Sequence, residues 1–175
     1  MNRTVKTEAV VLKKRVLPNQ DNIITLFTKE LGKVSVFAKG IKKITSRRLP
    51  HVQTANLINC VLYKKDERIF LQETSLISGF SQIKKDQTKL QYLYQFFFVI
   101  ERLLPDNQLE SHIYNLLMKF LVDLSNSKIE NDEMLLNYLN KTVYVLGYTK
   151  EDKNYEELKR VIEEIIHEKM PELHI

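Results

Sequence analysis

Residues 22–48 read NIITLFTKELGKVSVFAKGIKKITSRR, and this stretch decides the fold. From Ile23 to Thr28 apolar residues interleave with small polar ones, and Val34 to Ala38 alternate again. Between the two runs stand Glu30, Leu31, Gly32 and Lys33, a turn with glycine where a positive φ costs least. That pattern is a β-hairpin. Behind it, Lys39 to Arg48 puts five cations (Lys39, Lys42, Lys43, Arg47 and Arg48) into ten residues, and no acid occurs between Glu30 and Asp66. A hairpin therefore feeds a long cationic loop.

Working outward, Val5 to Leu17 carries apolar residues on both parities, as a strand curling within a small barrel does, and Pro18 to Asn22 breaks it. Leu57 to Lys64 and Arg68 to Ser75 read as two more strands around the polar turn Lys65-Asp66-Glu67. Five short strands with a longer connection after the third fit an OB-fold barrel, and by spacing alone an SH3-like barrel as well. Phe27, Phe37, Tyr63 and Phe70 fall on these strands. In a barrel that binds single strands they could be platforms on which bases stack, but in so small a domain they read as core, and none is nominated as a binding residue.

Past a junction at Ser78 to Asp86 the period changes. Gln87 to Leu104 is apolar on nearly all sides and ends at Pro105, which predicts the central helix of a bundle. Leu109 to Leu124 and Leu135 to Leu146 repeat at 3.6 residues, with Gly147 placed to close the latter. Tyr155 to Met170 predicts a last helix before Pro171. The expected architecture is α+β and multidomain: a five-stranded OB-fold barrel over residues 1–80, then an all-α helical domain over residues 81–175.

Charge divides at the same place. Residues 1–82 hold 15 Lys+Arg against 6 Asp+Glu, net +9, while residues 83–175 hold 12 against 16, net −4. A field concentrated on one half gathers polyanions and releases counterions when it meets phosphates, so nucleic acid is the leading partner class. Cys60 is the single cysteine and sits in an apolar run, which excludes an internal disulfide and reads as a buried structural thiol. The start MNRTVKTEAVV lacks the apolar stretch of a signal peptide, and no run reaches the ~20 apolar residues of a membrane span. A cytoplasmic protein is expected.

Chemistry is sparse. The histidines His51, His112, His167 and His174 have no neighbouring nucleophile motif, and HExxH, CxxC, P-loop and GxGxxG patterns do not occur in a chain with four glycines. His167 and His174 lack a third ligand at metal spacing. No catalytic residue, metal or cofactor is nominated, and no enzyme is expected.

The runs TEAVVLKKR at Thr7 to Arg15 and TLFTKELGKVSVFAKG at Thr25 to Gly40, with Ser46-Arg47 behind them, resemble the N-terminal domain of the recombination mediator family RecO. FVIERLLPDNQ at Phe98 to Gln108, with the helix after it, is similar to the start of that family's helical domain. The likeness covers roughly residues 5–150. It implies a non-catalytic DNA-repair protein that binds single- and double-stranded DNA, anneals complementary strands, binds RecR and helps load RecA onto DNA coated with single-strand-binding protein. It also implies a pocket in the helical domain for that coat protein's C-terminal tail. Many relatives carry a four-cysteine zinc motif; this chain has no cysteine beyond Cys60, so zinc is not carried over. At positions matching the family's basic DNA-binding residues stand Lys13, Lys14 and Arg15, then Lys33 in the hairpin turn, then Lys39, Lys42, Lys43, Arg47 and Arg48. Two rival readings stay open, an interaction scaffold for an acidic protein surface and an RNA-binding OB protein.

Overall fold

The computed structural model describes residues 4–18, 21–38, 50–127 and 132–172. The expected loop cations Lys39, Lys42, Lys43, Arg47 and Arg48 lie outside the described residues. Two compact units are present, one of Met1–Gly79 with Asp106–Leu109, the other of Phe80–Pro105 with Glu110–Ile175.

The first unit is a closed barrel. Its strands are β1 (Thr4–Val16), β2 (Asn22–Thr28), β3 (Gly32–Ala38), β4 (Leu57–Lys65) and β5 (Arg68–Ser78), in the order β1-β2-β3-β5-β4 with β4 returning to β1. This is the OB topology, which removes the SH3-like alternative. The period-2 alternation of β2 and β3 decides what goes inside: Ile24 and Leu26 face Val34, Val36 and Ala38, and Ala9, Val11, Ile58, Cys60, Leu62 and Leu71 complete the core. A bulge between Val11 and Lys13 shifts the register of β1 at Leu12, and Val10, ahead of it and opposite the buried Phe27, is buried on the other parity. The β2–β3 turn is closed by Thr28, whose Oγ1 donates to the Gly32 carbonyl at 2.9 Å and accepts from Leu31 N–H at 2.9 Å.

Gly32 has φ +71, and a Cβ there would lie 1.7 Å from the carbonyl oxygen of Gln108. Residues 106–109 therefore lie against this turn, with Asn107 N–H donating to the Lys33 carbonyl at 2.7 Å. The sequence reading put those residues with the helices.

The second unit holds α1 (Ser81–Lys84), α2 (Gln87–Leu103), α3 (Ser111–Asn126), α4 (Asp132–Val145) and α5 (Tyr155–Ile166). Phe96, Phe120 and Tyr138 meet at its centre, with ring centroids 4.2 Å and 5.2 Å apart along that chain. Asp86 and Asn154 cap α2 and α5 through side-chain oxygens. Gly147, at φ +81, closes α4 with paired bonds from Gly147 N–H to the Tyr144 carbonyl and from Tyr148 N–H to the Val143 carbonyl. α2 is buried along most of its length, with Tyr94 exposed. One expectation needs correction. The last helix stops at Ile166 rather than Met170, because His167 turns left-handed and Glu163 accepts the Met170 N–H at 2.9 Å. Among the described residues, no helix is long and apolar enough to cross a membrane.

Candidate nucleic-acid interface

Since one parity of each strand fills the barrel, the other parity must face outward, and strand pairing aligns those outer residues across the sheet. One such row runs Arg15, Ile23, Phe37, Phe70, Tyr63 across β1, β2, β3, β5 and β4. A neighbouring row holds Lys13, Thr25 and Ser35 on β1 to β3, and Arg68 opposite Lys65 on β5 and β4. Apolar and aromatic side chains thus lie beside a line of cations on the outside of the barrel.

Phe37 and Phe70 are half-buried, with ring centroids 5.8 Å apart at 38°. The Arg68 guanidinium carbon is 5.4 Å from the centre of the Phe37 ring, within cation–π reach. Aromatic faces next to cations are the two ingredients of single-strand binding: rings against which bases stack, and charge that follows the phosphates.

The four described cations of the expected set divide three ways. Lys13 and Arg15 are exposed and occupy the outer rows. Lys14 pairs with the inward residue Ile24, so it takes the other side of β1. Lys33 is drawn inward: its side chain is 11% exposed and its Nζ lies 3.2 Å from Asp106 Oδ1. An ammonium held by a carboxylate in that position is poorly placed to neutralise a phosphate.

Sequence reading weighed Phe37 and Phe70 as stacking platforms without nominating them, and did not single out Arg68 or Lys65. The signal was available in part. Phe37 shares parity with Ser35, opposite Val34, Val36 and Ala38, so the alternation that built the hairpin already put its ring outside. Phe27 also has outer parity, yet it is fully buried, as the core reading expected. Parity alone does not separate the two.

Elsewhere the chemistry is quiet. Cys60 is 3% exposed, and burial, with the charge of Glu30 adding to it, pushes its thiol up to about 12. It stays protonated at neutral pH and is no nucleophile. Among the described residues no group of three or more His, Cys, Asp or Glu is placed to hold a metal ion.

Comparison with known proteins agrees with the barrel. Residues 1–80 match the family model described as "Recombination protein O N terminal". The chain is 30% identical over 146 residues to the DNA repair protein RecO of Caldanaerobacter subterraneus subsp. tengcongensis, covering 83% of this chain and 59% of that protein. The RecO of a Thermoanaerobacter species gives the same figures, and that of Alkaliphilus metalliredigens is 28% identical over 131 residues, 75% of this chain and 53% of that one. The chain thus spans a little over half the length of these curated relatives.

Proposed function

We propose, from the premise that residues 1–80 are a RecO-family N-terminal domain, that this protein acts in DNA repair and recombination as a non-catalytic DNA-binding mediator. The observation that carries the reading is the outer face of the barrel, where Lys13, Arg15, Arg68 and Lys65 accompany a row of apolar and aromatic side chains. Cations there, with Lys14 and the loop cluster Lys39, Lys42, Lys43, Arg47 and Arg48, neutralise phosphates and let complementary strands approach closely enough to pair. No bond is made or broken by the protein. The resemblance extends the proposal to RecR as a partner, to the tail of single-strand-binding protein as a ligand of the helical domain, and to RecA loading as the outcome. The division into a nucleic-acid-binding barrel over residues 1–80 and a helical domain over residues 81–175 is part of the same proposal, with residues 106–109 grouped with the barrel.

Fluorescence anisotropy on a labelled single strand at several salt concentrations tests it. If about four phosphates are neutralised, log K falls against log salt with a slope near −3. Lys13→Glu with Arg15→Glu, and separately Lys42, Lys43, Arg47 and Arg48 all to Glu, should weaken binding and flatten that slope. Annealing and RecR capture are measured on the same variants. Retained DNA affinity with lost RecR capture would favour a scaffold over a DNA binder. Tighter binding to RNA than to DNA of the same sequence would move the reading to an RNA protein.

A further inference from the structure

We infer that Phe37, Phe70 and Arg68 form a stacking platform for an unpaired base, and that this cluster makes the barrel prefer single strands to duplex; the inference rests on the DNA-binding reading above. Three observations lead to it. The first is position. The barrel core is complete without these side chains, since Val36 and Ile69, the paired neighbours of Phe37 and Phe70, already point into it. The outer rings are therefore not needed to fill the interior.

The second observation is chemistry. Two rings 5.8 Å apart and tilted 38° to each other, with a guanidinium 5.4 Å from the centre of one of them, make a weakly hydrated patch of π and cationic surface. A nucleobase is the matching partner: it stacks on aromatic and guanidinium planes alike, and every base offers such a face. In a duplex those faces are covered by neighbouring base pairs and only their edges reach the grooves, so the patch discriminates without reading sequence.

The third observation is the surroundings. Arg15 stands two pairings from Phe37 along the same row, and Lys13 lies in the next row on the same strand. With strands spaced about 4.8 Å apart, these cations lie roughly 10 Å to one side of the platform. Lys65, opposite Arg68, flanks the other side. A strand crossing the sheet keeps its phosphates near the β1 cations while a base reaches in over Ile23 to the rings. Phosphate charge alone would attract duplex at least as strongly; the added stacking reverses the preference.

The test uses the full chain and three labelled probes: a thymidine oligomer, a deoxyribose-phosphate oligomer of equal length without bases, and a duplex of equal length. The wild-type protein should bind the thymidine oligomer on the order of 5- to 150-fold more tightly than the abasic one, the range expected for one stacked base. The Phe37→Leu/Phe70→Leu variant should lose that factor on the thymidine oligomer and be unchanged on the abasic oligomer and the duplex. The Phe37→Tyr/Phe70→Tyr variant should restore it. Equal affinity of the wild type for thymidine and abasic oligomers overturns the platform, and this measurement does not depend on any variant folding. So does an equal loss on all three probes in the leucine variant. If Lys13→Glu/Arg15→Glu abolishes binding while the leucine variant binds as wild type, the platform falls and DNA binding stands. If the wild type binds none of the probes, both fall.

Discussion

Replacing Gly32 by alanine tests how residues 106–109 are held against the barrel. At φ +71 an alanine is left-handed, which costs about 1–2 kcal/mol by itself. Its Cβ would sit 1.7 Å from the Gln108 carbonyl oxygen and 2.5 Å from the carbonyl carbon, about half a normal separation, and both atoms belong to backbone. Residues 106–109 must then withdraw. They give up the 2.7 Å bond from Asn107 N–H to the Lys33 carbonyl, worth about 1 kcal/mol. They also carry the Asp106 carboxylate away from an ammonium whose side chain is only 11% exposed, costing about 1–3 kcal/mol more. The total is about 3–6 kcal/mol, a large share of the ~5–15 kcal/mol that stabilises a typical domain. Gly147 is the control: its φ is +81, but an added Cβ meets nothing within 4 Å, so Gly147→Ala should cost only the backbone contribution of about 1–2 kcal/mol. Urea unfolding of the two variants, together with amide exchange at Asn107, distinguishes them. A Gly32→Ala protein no less stable than Gly147→Ala, with Asn107 still protected, would refute the reasoning.

Other perturbations reach other parts of the molecule. The Cys60 thiol, raised to about 12 from 9.0, must keep its proton in the fold, so its contribution is complete below pH 9 and is lost as pH climbs toward 12, at up to about 1.4 kcal/mol per unit. Urea midpoints between pH 8 and 11 should therefore fall more steeply for the wild type than for Cys60→Ala; parallel curves would count against a buried thiol. Lys89 Nζ donates to the carbonyls of Ser125 at 3.2 Å and Ser127 at 2.7 Å, closing the C-terminal end of α3, and Lys89→Met should cost about 1–2 kcal/mol in thermal unfolding. An unchanged midpoint would mean that those carbonyls do not need it. The Glu163 carboxyl is held below its usual range first by the Met170 N–H and then by Lys169, so the contact is present above the ordinary carboxylate pKa and lost as acid protonates it. An NMR titration placing Glu163 at or above the usual glutamate range would remove that contact from the account.

How far the sequence could be read depends on how local each signal is. Alternation in β2 and β3 and the glycine at their turn are properties of neighbouring residues, and the hairpin is visible from them. The same holds for Gly147, where one left-handed residue closes a helix whose period is plain. What joins Gly32 to Gln108 is not local: nothing in PDNQL announces that it lies along a strand turn seventy-odd residues earlier, and Lys33 looked like a surface cation for that reason. The outer row was half legible. The parity of Phe37 points outward, but knowing that Phe70 comes beside it requires the parallel β3–β5 pairing, a long-range contact that only closure of the barrel creates. The resemblance pointed to Lys13 and Arg15 and not to Arg68, which is marked by the Phe37 ring beneath it rather than by charge density.

The meeting of β3 and β5 has a mechanical side. Among the described residues these strands are registered through two residue pairs, Val36 with Ile69 and Phe37 with Phe70, while every other junction of the barrel is longer. This is the seam along which the cylinder has least to break. A base stacked over Phe37 and Phe70, as proposed above, would bridge that seam from outside, so occupancy and closure would reinforce each other: a loaded barrel would breathe less, and one whose seam had parted would lose its grip.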